Sequence, residues 1–524
     1  MNYFFLFILL LLEIVLVFKL KDDLHILQLN SYRNERYLRW LKNNLSKRFS
    51  IFEILFYLIS TVLFIFRYEI IAGLLISIFL IVRIIFFILQ KHKKPLVFTQ
   101  RAKRIFIVQN IITIKFILLI LIFIELNSTK AALLLSVSLF SLIIILISNT
   151  ILMPLELFFQ KFYIKDAKKI IDTMDQLKVI GITGSYGKTS TKHFLYQILN
   201  EKYNTLITPG SYNTTLGVVR TIREMLKPTH EVFIVEMGAR QAGDIEEICK
   251  IVHPRIGILT AVAEQHLETF KTLENVRKTK FELIDSLPEN GLAILNYDYQ
   301  PISNTSIKTA NSASYSVHNG NCNFCAENIV FNQNGMQFSI RKDGKNLFDV
   351  ETKLLGEHNI SNLLAAIVCA LHLGVDDRSI QYAIKRIQPV EHRLQAKKGT
   401  GGVTILDDAY NSNPVGAKMA LEVLEKISGN KKIIITPGFV ELGSKQDEYN
   451  YEFGKQIAKK VDFAIIVGKK LSVPIVKGIR EAAFSEEQLY VAQDLKDALN
   501  FMNSIVKTGD VVLFENDLPD NYNE

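Results

Sequence analysis

The 524-residue chain holds only four cysteines: Cys249, Cys322, Cys325 and Cys369. Usage this sparse argues against a disulfide scaffold and fits a reducing compartment. Cys322 and Cys325 form a lone CxxC with no second pair and no histidine cluster nearby, so the surroundings of a metal or redox site are missing. Long apolar runs are absent after residue 150, where polar and apolar segments alternate as in a soluble α/β protein. The first apolar run lacks a basic leading segment and a small-residue cleavage site, so we read it as a retained helix and not a signal peptide. Although the net charge is +9, many Lys and Arg stand in short loops between apolar runs, which points to membrane orientation and not to nucleic acid.

What is present before residue 150 is apolar. Runs near 2–20, 50–66, 70–90, 105–125 and 131–149 approach the roughly 20 residues that cross a bilayer. The expectation is an α-helical transmembrane bundle over 1–150, with the lipid bilayer as its partner. Segment 21–49 carries Lys21, Arg33, Arg36, Arg39, Lys42, Lys47 and Arg48, and segment 91–104 carries Lys91, Lys93, Lys94, Arg101, Lys103 and Arg104. The intervening turns hold only Arg67 and Lys130. The two basic loops are therefore cytoplasmic, and five spans put everything after residue 150 in the cytoplasm. Glu13, Arg83 and Lys115 lie within spans, where polar groups serve function or interhelical pairing. Segment 151–174 mixes aromatic and basic residues and reads as an amphipathic linker at the membrane surface.

The soluble part opens with Lys178-Val-Ile-Gly-Ile182, a short buried strand, followed by GITGSYGKTSTK at 181–192 and a helix from Gly187. A strand, a glycine turn and a helix form a phosphate cradle, with free N–H groups and the positive helix end facing the anion. Gly184, Gly187, Lys188, Thr189 and Ser190 would line it, with Lys188 reaching the β- and γ-phosphates of ATP and the Thr189 hydroxyl binding Mg²⁺. The spacing departs from GxxxxGK[ST], because Ile182 stands where the first glycine belongs. A glycine turn without a ligand is the competing reading. Glu231–Glu236 and Arg255–Thr260 are further strands, the second followed by Glu264-Gln-His266-Leu-Glu268. Glu236 and His266 at strand ends are candidate Mg²⁺ ligands, or else a solvated strand end and a helix cap.

Together these segments resemble the Mur ligase family, ATP-dependent amide-bond ligases of peptidoglycan synthesis. GITGSYGKTSTK looks like the family's GxTGxxGKT loop, and Thr208-Pro-Gly-Ser-Tyr-Asn213-Thr-Thr-Leu-Gly217 like its substrate-side loop. Val235-Glu236-Met-Gly238 and His266-Leu-Glu268 match its metal segments. Leu355-Gly-Glu-His358-Asn359-Ile-Ser-Asn362 is similar to the stretch beside the nucleotide, and Asp407-Asp408-Ala-Tyr410-Asn411-Ser-Asn413-Pro414 to the one near ribose and phosphates. The details, with VELG at 440–443, look most like the D-alanyl-D-alanine-adding branch.

The resemblance implies Mg²⁺ at Thr189, Glu236 and His266, with adenine beside Asn359 and Asn362. It implies ribose near Asp408 with Asn411 close by, and phosphate contacts from Arg393. It also implies a carbamoylated lysine on the helix around 276–284. Lys280 shares a face with the following apolar residues, whereas Lys278 points nearly opposite; an unmodified surface lysine is the alternative. Lys188, His266, Lys280 and Arg393 are then the catalytic set. The fold expected is multi-domain. The transmembrane bundle is joined by the 151–174 linker to a central α/β P-loop ATPase domain over 175–390 and a C-terminal Rossmann-like α/β domain over 391–524.

The location implied is the bacterial inner membrane, with a cell-wall precursor as acceptor and an amino acid or dipeptide as the joining group. No UDP-binding fold fits into 150–177, so the acceptor is open: UDP-linked, gripped by a basic loop, or lipid-linked. A polyglutamate-type ligase shares the motifs, and a membrane NTP sensor or transport ATPase shares the loop.

Overall fold

The computed structural model describes all residues except 1, 45–50, 67, 91–94, 125–133, 135, 265–266, 308–310, 333–334, 410–412, 441, 470–471 and 517–524. The chain divides into two compact units, one over Met1–Lys161 and one over Phe162–Leu518.

The first unit is helical: Asn2–Leu29, Asn34–Asn43, Ile51–Ile65, Glu69–Leu89, Gln100–Phe123 and the start of Ser141–Asp172. Among the described residues, three helices are long and apolar enough to cross a membrane, namely Ile70–Leu89, Gln100–Phe123 and Ser141–Asp172. Beside the five expected spans, the described residues show the following helix bounds. Ile51–Ile65 is described over 15 residues, and positions 45–50 just before it lie outside the described residues. The first helix runs past residue 20 to Leu29 and buries Lys19, Asp23 and His25. The run at 131–149 is broken by turns at 137–140, so its helix begins only at Ser141 and continues through the stretch read as a linker. Within the turn, the Ser138 hydroxyl donates to Tyr57 Oη at 3.0 Å. Arg104, counted as a loop charge, lies in a helix and pairs bidentately with Glu156 at 2.7 and 2.9 Å.

The second unit contains two sheets. The first has strands β1 (Lys178–Thr183), β2 (Thr205–Ile207), β3 (Val232–Glu236), β4 (Ile256–Leu259), β5 (Leu292–Asn296), β6 (Asn311–Ser316), β7 (Phe324–Asn332), β8 (Gly335–Lys342) and β9 (Lys345–Thr352). Their order is β2-β3-β1-β4-β5-β6-β7-β8-β9. Pairing is parallel through β7 and antiparallel over the β7-β8-β9 meander. The central parallel strands β3, β4 and β5 are buried, largely apolar runs because helices cover both faces. Phe194, Leu195 and Ile198 of helix Lys188–Leu199 pack on one face with Leu363 and Ile367 of helix Glu357–His372. Val218 and Ile222 pack on the other with Ile248 and Leu283. Cys322 and Cys325, just before and within β7, are joined by a disulfide. With two residues between them it is a local staple and not a scaffold.

The second sheet comprises β10 (Gln395–Lys398), β11 (Thr404–Asp408), β12 (Lys432–Thr436), β13 (Phe463–Val467), β14 (Leu489–Ala492) and β15 (Val511–Glu515). The order is β10-β11-β15-β12-β13-β14, parallel except for β10 with β11.

The end of helix Ser141–Asp172 belongs to the second unit's core. Ala167 is wholly buried and Ile171 nearly so, packed with Val218, Val219 and Ile222. Asp166 accepts a 2.6 Å hydrogen bond from Arg223. Ala167→Leu should overpack this contact and cost about 1–3 kcal/mol. Limited proteolysis should then cut faster around residues 161–177, whereas Arg223→Gln, which breaks a half-exposed pair, should cost less than about 1 kcal/mol.

Candidate active site

The register of the central strands assembles the site. β1 lies between β3 and β4, with Ile182 opposite Glu236 and Thr183 opposite Leu259. The carboxyl ends of three parallel strands therefore meet at Gly184, Glu236 and Thr260, where open α/β sheets hold ligands.

Gly184 and Gly187 adopt φ values of +152° and +81°. A Cβ at Gly184 would lie 2.1 Å from Thr260 Oγ1, and one at Gly187 would lie 2.4 Å from Asn362 Oδ1. Both glycines are thus required by handedness and by space. The loop is held from β4's side. Ser185 N–H donates to Ala261 O at 2.8 Å, its hydroxyl donates to Ala263 O at 2.9 Å, and Ala263 N–H donates back at 3.0 Å. Lys188 curls over the loop, its Nζ 2.6 Å from Gly184 O. Desolvation brings its ammonium down to about 8, helped by Arg393 and opposed by Glu236.

Glu236 is not a solvated strand end, being 1% exposed. Its Oε2 accepts from Thr189 Oγ1 at 3.1 Å and Lys192 Nζ at 2.9 Å, and its Oε1 accepts from Asn213 Nδ2 at 3.0 Å. Burial pushes its pKa up, but Lys192 and Lys188 and these hydrogen bonds outweigh it and hold the carboxyl below its usual range. An ionised carboxylate beside a threonine hydroxyl is a donor set that suits Mg²⁺, which normally takes one or two carboxylates and completes its shell with substrate phosphates and water. Among the described residues no three His, Cys, Asp or Glu side chains converge as a metal cluster. His266 lies outside the described residues.

Lys192 and Asn213 were not singled out from the sequence. The signal was present: Lys192 stands four residues after Lys188, on the same helix face. Nothing in the sequence marks it as fully buried, nor shows that its Nζ also reaches Gly210 O at 2.7 Å.

Lys280 is 2% exposed on helix Leu273–Asp285, whereas the Lys278 side chain is 67% exposed, 3.8 Å from Glu274. The surface-lysine alternative fails for Lys280. Desolvation and the Lys188 charge lower its pKa to about 7. Asn359 Nδ2 donates to Leu355 O at 2.8 Å. Asn362 sits beneath Gly187 and accepts from Thr191 Oγ1 at 3.3 Å, so in this structure it supports the phosphate loop. Ser190 is buried in the first turn of helix Lys188–Leu199. His358 is held neutral, its pKa pushed down to about 4 by burial.

The second sheet brings its own residues. Asp407 accepts from His392 Nδ1 at 2.8 Å and Lys397 Nζ at 2.6 Å. Asp408 accepts from Leu394 N–H at 3.1 Å, and burial raises it to about 6 against the pull of Arg393. Arg393 is flanked by His392 and Leu394 at φ +57° and +49°, a conformation that costs non-glycine residues about 1–3 kcal/mol each. Its charge acts on both Lys188 and Asp408, so it stands between the two sheets' contributions. Asn411 lies outside the described residues.

Comparison with known proteins agrees with this arrangement. Residues 182–370 match the family model of the Mur ligase middle domain, and residues 392–515 match that of the Mur ligase, glutamate ligase domain. The chain is 28% identical over 340 residues to the UDP-N-acetylmuramoyl-tripeptide–D-alanyl-D-alanine ligase of Bacillus subtilis, covering 64% of this chain and 72% of that protein. It is 31% identical over 296 residues to the Escherichia coli ligase of the same name, covering 56% and 65%. Among solved structures, MurF from Acinetobacter baumannii superposes with a TM-score of 0.62 at 25% identity, over 69% of this chain and 78% of that one. MurF from Thermotoga maritima in complex with ADP gives a TM-score of 0.61 at 25% identity, over 68% and 80%. The phosphate loop, the buried Glu236 and the Asp407–Asp408 strand end all fall within the matched segments, and the chain belongs to the Mur ligase family, the ATP-dependent ligases that form amide bonds in peptidoglycan synthesis.

Proposed function

We propose that the protein joins D-alanyl-D-alanine to the peptide carboxylate of a UDP-linked muramoyl tripeptide, using ATP. The observation that carries the reading is Glu236, an ionised and buried carboxylate held against Thr189 at the mouth of the phosphate loop. A bare glycine turn has no use for that charge.

The chemistry follows from the residue types. The acceptor carboxylate attacks the γ-phosphorus of ATP, forming an acyl phosphate and ADP. The loop N–H groups and Lys188 hold the phosphates, Lys188 exchanging its bond to Gly184 O for phosphate oxygens. Lys192 and Asn213 hold Glu236 in place. A magnesium ion on Thr189 and Glu236 would offset negative charge on the transferring group. Arg393 adds positive charge from the second sheet. The dipeptide amine then attacks the acyl carbon, releasing phosphate and a proton and leaving the amide. Lys280, with a pKa brought down to about 7, has a neutral amine fraction able to add carbon dioxide through its nitrogen, releasing one proton and leaving a carbamate anion in place of the neutral amine.

The helical unit anchors the ligase in the bacterial cytoplasmic membrane, with the catalytic domains on the cytoplasmic side. Support comes from the three apolar helices and from large side chains such as Ile70, Leu89 and Phe123, each more than 70% exposed. A second reading keeps the chemistry and changes the carrier to a lipid-linked precursor. It is favoured by the three helices that are long and apolar enough to cross a membrane among the described residues. Offering both acceptors to the purified protein with ATP and D-alanyl-D-alanine separates the two by product mass, and turnover of neither would falsify both.

Lys188→Ala should lower the ligation rate about 10²–10³-fold, read as phosphate release, with the fold intact by circular dichroism. Lys192→Met removes the cation beside a buried carboxylate and should destabilise the ligase unit by about 3–5 kcal/mol in denaturant unfolding. Lys280 and Lys188 titrate at about 7 and about 8 when folded, below the roughly 10.4 of an unfolded lysine. Between those values the unfolded chain binds more protons, so stability should rise with pH from about 7 to 10. Lys280→Met should remove about half of that rise.

A further inference from the structure

We propose that Lys445 and Tyr449 are positioning residues that tie the second sheet's domain to the phosphate loop through one carboxylate, Glu264. This rests on the ligase reading and deepens it. Lys445 Nζ lies 2.8 Å from Glu264 Oε1 and 3.2 Å from Oε2, and Tyr449 donates its hydroxyl to Oε2. The partners are 181 and 185 residues apart in sequence, so no local turn accounts for the contact.

Both ends are fixed. Glu264 follows directly on Ala261–Ala263, the segment that brackets Ser185 of the phosphate loop by three hydrogen bonds. On the other side, the β12 loop carrying Lys445 is pinned to helix Gln446–Lys460. Phe439 N–H donates to Asn450 Oδ1 at 2.8 Å, Asn450 Nδ2 donates back to Phe439 O at 3.0 Å, and the Phe439 ring packs on Phe453. Asn516 Nδ2, just beyond β15, donates to Gly438 O in the same loop. Among the cross-sheet ion pairs of the described residues, the two sheets are linked by this carboxylate cluster and by a looser Lys426–Glu357 pair at 3.8 Å. The ammonium and the phenol converge on one carboxylate, so the geometry sets both distance and orientation. The 261–264 segment, and the loop glycines above it, thereby take their register from the domain that carries Arg393 and Asp408.

The contact is half-exposed, so alone it adds little to stability, and its effect belongs in turnover. The test uses the full-length protein with ATP and its acceptor. Lys445→Met should lower kcat about tenfold and Tyr449→Phe about threefold, with Lys445→Arg retaining most of the rate. Glu264→Lys and Lys445→Glu should each be impaired by tenfold or more, and the double reversal should recover to within about threefold of wild type. Hydrogen exchange gives a readout that needs no turnover: Lys445→Met should deprotect 261–264 and 445–450 while leaving β12 protected. A double reversal no better than the single changes, or unchanged exchange in Lys445→Met, overturns the proposal. If the wild-type protein turns over no acceptor, the ligase reading fails, and the exchange result alone decides the clasp.

Discussion

Glu236 keeps its negative charge where almost no water reaches it, and the site is arranged around making that tolerable. An isolated carboxylate in such a place would take up a proton. Lys192, itself wholly buried, supplies the opposing charge, and Thr189 and Asn213 supply hydrogen bonds. Lys192 has no other place to go, because helix Lys188–Leu199 is fixed at its start by Gly187 and along its face by the core. The parallel register of β1 with β3 brings these groups to one level. Slippage of that register would carry Glu236 away from both lysines and leave three charged groups buried without partners.

The same crowding of charge tunes the lysines. Lys188 and Lys280 are each depressed by burial, and Lys280 further by Lys188. The site therefore holds more cationic capacity than it can keep fully protonated. That is a suitable ground state for a pocket whose substrate brings three phosphates. Part of the neutral capacity is recharged when negative charge arrives. Across the gap, Asp408 and Arg393 show the complementary pattern: burial lifts the acid toward neutrality and the guanidinium pulls it back. The second sheet thus carries at its strand end one acid lifted toward neutrality, while Asp407 is held below its usual range by Lys397 and His392 against its burial.

Much of this was legible because glycine, charge and strand patterns are local. The phosphate loop could be read from three glycines and a lysine, and positive φ at Gly184 and Gly187 is the conformation such residues are placed to adopt. The choice of Lys280 over Lys278 needed only helix geometry. The bounds of the N-terminal helices were less legible. Apolarity marks where helices exist, but their ends depend on packing and on which polar groups find partners. Hence the run at 131–149 became a turn followed by a helix reaching Asp172, and Arg104 became half of an ion pair. Asn362 packs under Gly187, where only a residue without a Cβ leaves room for it, a contact that no local pattern marks.

By itself the sequence determined the fold class of the ligase part, the three strands that end at the phosphate loop, Glu236 and Thr260, and the chemistry available at those ends, because these depend on neighbours within a few residues. Tertiary structure decided which of those groups share one pocket. Lys192 against Glu236, Asn213 against the same carboxylate, and Glu264 between Lys445 and Tyr449 are contacts between residues 23 to 185 positions apart. Their pairing is set by strand register and core packing, and no short-range pattern encodes either.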